Sequence, residues 1–488
     1  MGAGQNEILN EETCQIIYLD PKEEKKDETD FWLKEKNKLK IYLLGFLNKL
    51  AQSGFRIYRT GLNYTFVQVN DNVVEEIHPR KMKDSIKKFL MDPDQEFEEG
   101  INGHMILGKV MEKTYRLFSR GFLEFLENLK GDFKRDTPTE SFIYFNNCYV
   151  EVTKDNYTIH DYKDLDKYVW RDQVIKRNFH PSEQESDFRK FVMQICRFDE
   201  KRFNALRSAI GYLLHTYKDP ANAKAIIFMD EKIDIGANGG SGKSLLGVAI
   251  SKVRKSLILD GNNFRFDRFS YQSYRPGTQI LEFNDTRKNF PFRQIYTEIT
   301  DYMVVERKNR DQVIIPFKDT PKILITSNYA ILGEDDSTLR RQFVIEFSDY
   351  YNRKYTPMDE FGRMFFIGWS QEDWDSFYSF MIDCLQYFLK NGLMDYDRGN
   401  LSVKKLTEST SPEFIEFMEF IETDKWYAKR EIYEKFIEEY PDYKNGKLRQ
   451  QLFTRWIMIY AKINNFIFEQ KRTGDVRKFI IRKLSSVD

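Results

Sequence analysis

Residues 236–244 read Gly-Ala-Asn-Gly-Gly-Ser-Gly-Lys-Ser and combine glycines with a lysine and a serine hydroxyl. They follow an apolar run at residues 225–229, so a buried strand is predicted to lead into this stretch. Glycines allow successive backbone N–H groups to point at an anion, at the positive end of the helix that follows. The composition predicts a loop that binds the phosphates of ATP.

Within this loop Lys243 is predicted to contact the outer phosphates and Ser244 to place its hydroxyl on Mg²⁺. The usual spacing would put glycine at position 237, whereas the first glycine here is Gly236. The alternative is a glycine-rich surface loop that happens to end in Lys-Ser. We expect ATP and Mg²⁺ as cofactors, and the predicted nucleotide contacts are Gly239, Gly240, Ser241, Gly242, Lys243, Ser244 and Leu245.

Polar residues end the next strand patterns along the chain. The apolar run at 278–285 finishes in Asp285, which is predicted to bind Mg²⁺ at the carboxyl edge of a parallel sheet. A second run at 322–328 ends in Asn328, whose amide can hydrogen-bond the attacking water and the γ-phosphate. Arg340 and Arg341 precede a third apolar run. This order indicates an ATPase core at residues 222–397.

A basic segment lies between two of these strands. Residues 302–306 and 312–317 are apolar, and the residues between them include Arg307, Lys308 and Arg310. The pattern predicts a hairpin with a basic tip that faces a polyanion. A solvated basic turn on the outer surface is the alternative, because Lys-Asn-Arg is also good turn chemistry.

Composition restricts the class of protein. The 488 residues suggest about three domains, and 76 basic residues balance 76 acidic ones, so any nucleic-acid surface must come from local segregation of charge. Four dispersed cysteines suggest neither a disulfide framework nor a zinc site. The polar N-terminus and the lack of a long apolar run predict a cytoplasmic protein with no membrane partner.

The N-terminal 180 residues are predicted to form an α+β domain of unknown role. We expect a helix at 30–52, strands at 55–59 and 64–69, helices at 83–90 and 114–129, and short strands within 142–176. No His-hydrophobic-His pair suits a nickase, and Asp164 and Asp166 lie in turn-like surroundings that do not suit a primase. Residues 181–221 are predicted to form two helices, as a collar or a linker.

The C-terminal residues 412–488 are predicted to form a separate unit. Helices are expected at 427–440 and 447–463, followed by a hairpin that turns near Gly474. This order is typical of a winged helix, and Arg477 and Lys478 are predicted to bind DNA phosphates. A protein-binding or merely solvated winged helix is the alternative.

Four ordered blocks carry a family resemblance: Gly-Gly-Ser-Gly-Lys-Ser, Ile-Leu-Glu-Phe-Asn-Asp, Ile-Leu-Ile-Thr-Ser-Asn and Leu-Arg-Arg-Gln-Phe. They resemble superfamily 3 helicases, specifically the AAA+ ATPase of phage, plasmid and poxvirus primase-helicases. The resemblance implies an α/β P-loop AAA+ core, with Asp285 as the Walker B acid, Asn328 as sensor 1, and either Arg340 or Arg341 as an arginine finger. It also implies a homo-hexameric ring that threads one DNA strand in replication, with the hairpin of Lys308 and Arg310 lining the channel.

One position departs from that pattern. The residue before the Walker B acid is usually acidic in these helicases, and here it is Asn284. Either Glu282 or an acid elsewhere polarises water, or hydrolysis is slow. Two other functions therefore stay open: a nucleotide-switched DNA-binding initiator or assembly factor with little hydrolysis, and, with less support, a small-molecule P-loop kinase.

Overall fold

The computed structural model describes residues 30–35, 38–60, 63–231, 240–308, 311–331, 335–398, 401–444 and 446–483. Internal contacts divide the chain into two compact units. The first comprises the chain up to Asn70 together with Glu76–Lys130, and the second comprises Asp71–Glu75 and the chain from Gly131 onward. Within the described residues, no helix has the length and apolar character required to cross a membrane.

The first unit combines two antiparallel hairpins with helices. Its core contains Phe46, Leu50 and Phe55, all fully buried. The elements from the start of the described chain are β1 (Trp32–Glu35), β2 (Lys38–Ile41), α1 (Leu43–Gln52), β3 (Phe55–Thr60), β4 (Asn63–Asn70), β5 (Val73–Glu76, of which residues 73–75 belong to the second unit), α2 (Pro79–Leu90), α3 (Gly103–Glu112), α4 (Thr114–Leu117) and α5 (Arg120–Leu123).

Two predicted helices of this unit are wrong in part. Residues 30–52 were expected to be one helix, but β1 and β2 pair antiparallel and bury Trp32 against Ile41 before α1 begins. The expected helix at 114–129 is two single turns, since the Ser119 side chain accepts a hydrogen bond from the Phe122 N–H and caps a new start. The strands at 55–59 and 64–69 and the helix at 83–90 are confirmed.

The second unit begins with the strands that the sequence predicts within 142–176. Strand β6 pairs parallel with β10 and antiparallel with β7, which also pairs with β8. The two predicted helices at 181–221 follow and are confirmed. The elements are β6 (Glu140–Phe145), β7 (Tyr149–Thr153), β8 (Tyr157–His160), β9 (Val169–Trp170), β10 (Val174–Ile175), α6 (Asp187–Ile195) and α7 (Glu200–Leu214).

A five-stranded parallel sheet forms the centre of this unit. The strand order is β12-β13-β16-β11-β17 and every pairing is parallel. A two-stranded antiparallel hairpin, β14 with β15, interrupts the α/β alternation. The elements are β11 (Ala225–Asp230), α8 (Lys243–Ser251), β12 (Ser256–Asp260), β13 (Ile280–Thr286), α9 (Tyr296–Thr300), β14 (Met303–Val305), β15 (Val313–Ile315), β16 (Lys322–Ser327), α10 (Asp336–Leu339) and β17 (Gln342–Phe347).

The last part of the chain is helical and ends in a hairpin. The predicted helix at 447–463 and the terminal hairpin are confirmed, whereas residues 427–428 of the first predicted helix form a strand that pairs with β20. The elements are α11 (Pro357–Phe361), α12 (Gln371–Asn391), α13 (Leu401–Ser409), α14 (Pro412–Glu419), β18 (Tyr427–Ala428), α15 (Lys429–Glu439), α16 (Gln450–Ile463), β19 (Phe466–Thr473) and β20 (Val476–Lys483).

The residues from Gly131 onward belong to one compact unit, which includes the strands at 140–175. The reason is a shared hydrophobic core: Phe145 of β6, Leu206 of α7 and Leu246 of α8 are buried in one cluster. The strands at 140–175 therefore pack with the parallel sheet. The predicted boundaries at 181, 222 and 412 fall inside this unit and stay predictions.

A buried ion pair also connects these segments. The Asp136 carboxylate lies 3.5 Å from the Arg254 guanidinium and accepts hydrogen bonds from the Ser141 hydroxyl and the Thr216 N–H. Arg254 donates in addition to the backbone carbonyl of Leu214 at the end of α7. Burial alone would raise the pKa of Asp136, but Arg254, the nearby His215 and these hydrogen bonds hold that pKa below its ordinary value.

His215 belongs to the same network, and its ring Nε2 lies 2.7 Å from the Thr137 carbonyl oxygen. Burial, followed by the charge of Lys322, lowers the pKa of His215 to about 4. An unfolded histidine takes up a proton near its ordinary pKa, whereas the folded one does so only at lower pH. Acidification from pH 7 to pH 5 therefore favours the unfolded chain.

We predict that His215→Gln removes about 2 kcal/mol of this pH-dependent loss of stability between pH 7 and pH 5. Urea unfolding of the wild type and the variant at both pH values measures the effect, with the exposed His104→Gln as a control. An equal loss of stability in the wild type and the His215 variant would show that the ring is protonated in the folded protein.

Candidate nucleotide-binding site

The candidate site forms where the parallel strands end. Strand β11 pairs with β16 on one side and with β17 on the other, and β16 pairs with β13. Because all these pairings are parallel, their carboxyl ends share one edge of the sheet. Asp230 ends β11, Asp285 lies at the end of β13, and Asn328 follows β16. The structure thus brings Asp285 and Asn328, which the sequence singled out separately, to one edge, and adds Asp230, which the sequence did not single out.

The predicted phosphate-binding loop is described from Gly240 onward, and Gly239 lies outside the described residues. Gly242 has a φ of 97°, which favours glycine, and a Cβ atom there would lie 2.6 Å from the Phe191 ring. Helix α8 begins at the next residue. The Ser244 side chain is exposed and Leu245 is half-buried against the core. The N-terminus of α8 thus opens toward the shared edge of the sheet.

Lys243 is buried at the start of α8, and its ammonium group has two side-chain partners. Its Nζ lies 2.5 Å from Asp230 Oδ1 and 3.1 Å from the Ser241 hydroxyl oxygen. The Ser241 hydroxyl donates to the same Asp230 oxygen at 2.5 Å. Burial lowers the pKa of Lys243, while the charges of Asp230 and Asp285 oppose this shift. Asp285 is therefore close enough to Lys243 for the two charges to interact.

The ends of β13 and β16 are connected by side-chain hydrogen bonds. Asn328 Nδ2 donates to Asp285 Oδ1 at 3.1 Å, and the Thr326 hydroxyl oxygen accepts from the Asp285 N–H at 2.8 Å. The same hydroxyl donates to Asn284 Oδ1. Asp285 has a φ of 53°, an unfavourable conformation for a non-glycine residue that is often found at functional sites. The arrangement holds an exposed carboxylate and an amide at one point.

The donor set at this edge fits Mg²⁺. A hydroxyl from Ser244 and a carboxylate from Asp285 are the oxygen ligands that Mg²⁺ accepts when phosphates and water complete its octahedron. Within the described chain, no cluster of three or more His, Cys, Asp or Glu side chains could hold a metal without such help. The residues thus suit a metal that arrives with a nucleotide.

Glu282 lies two residues before Asn284 on β13 and faces helix α8. A Cβ atom at Gly247 would lie 2.5 Å from Glu282 Oε1, so this glycine makes room for the carboxyl group. The other oxygen, Oε2, is buried and has no hydrogen-bond partner among the described residues. Burial raises the pKa of Glu282 to about 7. The structure places this predicted catalytic acid beneath α8 rather than at the exposed edge.

Arg340 and Arg341 differ in their surroundings. The Arg341 guanidinium donates to the Ser337 carbonyl at 2.8 Å and lies 4.6 Å from the centre of the Tyr296 ring. These contacts hold Arg341 against its own chain. The side chain of Arg340 is exposed. Arg340 is therefore the one that is presented to the surroundings.

The β14–β15 hairpin carries the basic residues of its predicted tip, of which Arg310 lies outside the described residues. Lys308 is exposed, but Arg307 donates to the Tyr274 carbonyl at 2.5 Å and is held within the fold. An additional loop, which the sequence did not single out, lies beside the hairpin through an ion pair between Arg268 and Glu306. Its residues Arg268 and Phe269 are 74% and 40% exposed, respectively.

The terminal hairpin concentrates positive charge. Its register places Lys471 opposite Lys478 and Arg472 opposite Arg477. Like charges directly opposite each other destabilise a strand pair. Lys471 also packs on the Trp426 ring at 3.9 Å. The two pairs lie on opposite faces of the hairpin, and Arg472 also forms an ion pair with Asp475 at 3.2 Å.

Two further residues near the site could not be found from the sequence. Lys404 and Glu408 belong to α13, which lies between the predicted ATPase core and the predicted C-terminal unit. The Lys404 ammonium donates to the Asp230 carbonyl oxygen at 2.8 Å, and the Glu408 carboxylate accepts from the Ala330 N–H at 3.0 Å. Hydrophobic periodicity could not predict the burial of Lys404, because it detects only apolar residues.

Comparison with known proteins gives structural likenesses only. No protein-family model and no curated protein matches the sequence. Among solved structures, the A form of the NrS-1 C-terminal region is similar over 90% of this chain and 99% of that chain, with 13% identity and a TM-score of 0.41. A JCV helicase structure is similar over 33% of this chain and 45% of that chain, with 13% identity and a TM-score of 0.24. At these values neither likeness supports an inference about activity.

We predict that Glu282→Gln becomes more stable than the wild type as the pH rises. The raised pKa means that the carboxyl group favours folding below its ordinary pKa and loses that contribution as the pH passes through about 7. The variant should gain about 2 to 3 kcal/mol relative to the wild type between pH 5 and pH 8 in urea unfolding. Any ATP hydrolysis by the wild type should be equal in the variant, whereas a loss of about 100-fold or more would identify Glu282 as the group that polarises water.

Proposed function

We propose that the protein is an ATP-dependent DNA helicase of the superfamily 3 AAA+ type, acting as a homo-hexameric ring in the replication of a phage, plasmid or other mobile element in its host's cytoplasm. One observation carries the proposal: Asn328 is hydrogen-bonded to Asp285 at the carboxyl edge of one parallel sheet, and Lys243, at the start of α8, is bound to Asp230 at the same edge. A cation, an acid and an amide at one point are the groups that phosphoryl transfer to water requires.

Each side chain has a role that follows from its chemistry. The Lys243 ammonium neutralises charge on the outer phosphates, and α8 adds the positive end of its dipole. Bound Mg²⁺ would be held by Ser244 and Asp285 and would neutralise phosphate charge. The Asn328 amide, fixed on Asp285, can hydrogen-bond both the attacking water and the γ-phosphate. The chain thereby positions water opposite the bond that breaks.

The exposed Arg340 supports a site completed by a second copy of the chain. An arginine that reaches a neighbouring γ-phosphate must extend from its own subunit, and Arg341 is held by the Ser337 carbonyl and by Tyr296. We assign the arginine finger to Arg340 and a supporting role to Arg341. A ring of identical subunits would repeat this contact at every interface.

Two basic surfaces suit DNA. At the β14–β15 hairpin, Lys308 and the neighbouring Arg268 offer cations, and Phe269 offers a ring on which a base can stack. At the terminal hairpin, Arg477 and Lys478 offer cations for phosphate contacts, while Arg472 is paired with Asp475. The order α14, β18, α15, α16, β19, β20 supports a winged helix for this part.

The second candidate is a nucleotide-switched initiator that hardly hydrolyses ATP. Asn284 favours it, because its side-chain oxygen accepts from Thr326 and no carboxylate stands at that position. Glu282 does not replace the missing acid, since its carboxyl group lies against Gly247 of α8. ATP turnover in the presence of single-stranded DNA separates the two functions.

We predict that Lys243→Ala lowers ATP hydrolysis by at least about 100-fold, because the ammonium acts on phosphate charge in the transition state. Hydrolysis with and without single-stranded DNA, together with unwinding of a forked duplex, provides the measurement. Lys252→Ala, at the far end of α8, is the control for damage to the helix. Full activity in the Lys243 variant would mean that residues 240–244 are not the phosphate site.

We predict that Arg340→Ala subunits regain hydrolysis when they are mixed with Lys243→Ala subunits. Mixed rings contain interfaces at which an intact lysine faces an intact arginine. Arg341→Ala serves as the comparison and should mainly lower the melting temperature, because it loses contacts within its own chain. Hydrolysis that stays absent at every mixing ratio, in rings shown to be mixed, would contradict a site shared between subunits.

A further inference from the structure

Asp230 stands apart from the roles assigned so far. It is the last residue of β11, it is 8% exposed, and its Oδ1 receives both the Lys243 ammonium and the Ser241 hydroxyl at 2.5 Å. The phosphate-binding lysine thus has an anionic partner in its own chain. Any phosphate that takes Lys243 must compete with this carboxylate.

A second lysine already contacts the same residue. Lys404 of α13 is 3% exposed, and its Nζ lies 2.8 Å from the Asp230 carbonyl oxygen. Burial lowers the pKa of Lys404, the carboxylates of Glu408, Asp230 and Glu346 oppose this shift, and the charge of Lys243 adds to it. The two lysines therefore lie within interaction range of each other and of Asp230.

Moving one of these charges changes the electrostatic energy of the others. When Lys243 turns to phosphate, the buried Asp230 carboxylate loses its cation, and an unpaired buried charge is costly. Lys404 can supply the replacement by a short movement, because its ammonium is already bonded to the backbone of that residue. The two lysines can thus exchange places on a single carboxylate.

We propose that Asp230 and Lys404 are positioning residues for the phosphate-binding lysine: Asp230 holds Lys243 until phosphate competes for it, and Lys404 then takes over the carboxylate. The inference rests on the proposed function insofar as the competing anion is a nucleotide phosphate. Separating Lys243 from Asp230 weakens nucleotide binding, and the new contact between Lys404 and Asp230 offsets part of that loss.

The same exchange has a route to the C-terminal helices. Helix α13 carries Lys404 and also Glu408, whose carboxylate receives the Ala330 N–H two residues after Asn328. The helix also contacts α14 and α16. A shift of Lys404 toward the Asp230 carboxylate therefore displaces an element that contacts the phosphate loop strand, the Asn328 loop and the terminal helices.

The test is a double-mutant cycle on nucleotide affinity in the full-length chain, measured by fluorescence titration with N-methylanthraniloyl-ADP and Mg²⁺. Asp230→Asn should bind about tenfold more tightly than the wild type, because the competing charge is gone. Lys404→Met should bind about tenfold more weakly, because the carboxylate keeps its hold on Lys243. In the Asp230→Asn background the Lys404 substitution should have little effect.

A structural role alone gives a different pattern. Damage to the fold would weaken binding in both single variants and add up in the double variant, and that result would overturn the proposal. Lys404→Arg, which keeps the cation, should bind like the wild type. Asp375→Asn, a similarly buried aspartate on α12, and Lys435→Met, an exposed lysine on α15, are matched controls that should not change affinity.

Two further outcomes are decisive. If Asp230→Asn does not fold, the Lys404 variants decide alone: an affinity of Lys404→Met equal to or tighter than that of the wild type overturns the proposal. If the wild type itself does not bind the fluorescent nucleotide, the proposed function fails. If the wild type binds the nucleotide and the losses of affinity in the single variants add up in the double variant, the exchange of lysines is wrong but the proposed function stands.

Discussion

The parallel pairing of β11 between β16 and β17 is the constraint on which the rest of the structure depends. It fixes the register of three buried strands, so their polar ends at Asp230, Asn328 and the residues after β17 share one edge. A shift of one residue would turn every side chain of a strand to the opposite face. The chemistry of the site is thus a consequence of how the apolar strands pack.

Two networks of buried charged side chains stabilise this unit. Arg254 and Asp136 tie the strands at 140–175 to helices α7 and α8, while Lys243 and Lys404 share Asp230 at the opposite end of α8. Breaking a buried pair on one side leaves an uncompensated charge. The network of Arg254 and Asp136 therefore stabilises the fold. The network of Lys243, Lys404 and Asp230 contains charges whose pairing a bound phosphate would change.

The sequence predicted the strands of the site well, because apolar runs and terminal polar residues are local signals. Asp285 and Asn328 were assigned to one site, and a hydrogen bond connects them. Other features depend on contacts distant in sequence. Neither the orientation of Glu282 toward Gly247 nor the burial of Lys404 has a periodic signature, and the hairpin at 32–41 was mistaken for a helix because short apolar patterns fit both.

In the proposed function, phosphate groups carry the binding of a nucleotide to this edge of the sheet. Competition binding to the wild-type protein tests this. Displacement of a bound fluorescent ATP analogue in the presence of Mg²⁺ would be followed with ATP, ADP and adenosine. We expect ATP and ADP to displace the analogue and adenosine to do so only weakly, because adenosine offers no phosphate to Lys243 or to the N-terminus of α8. Displacement by adenosine as effective as by ATP, or no saturable binding of the analogue, would contradict it.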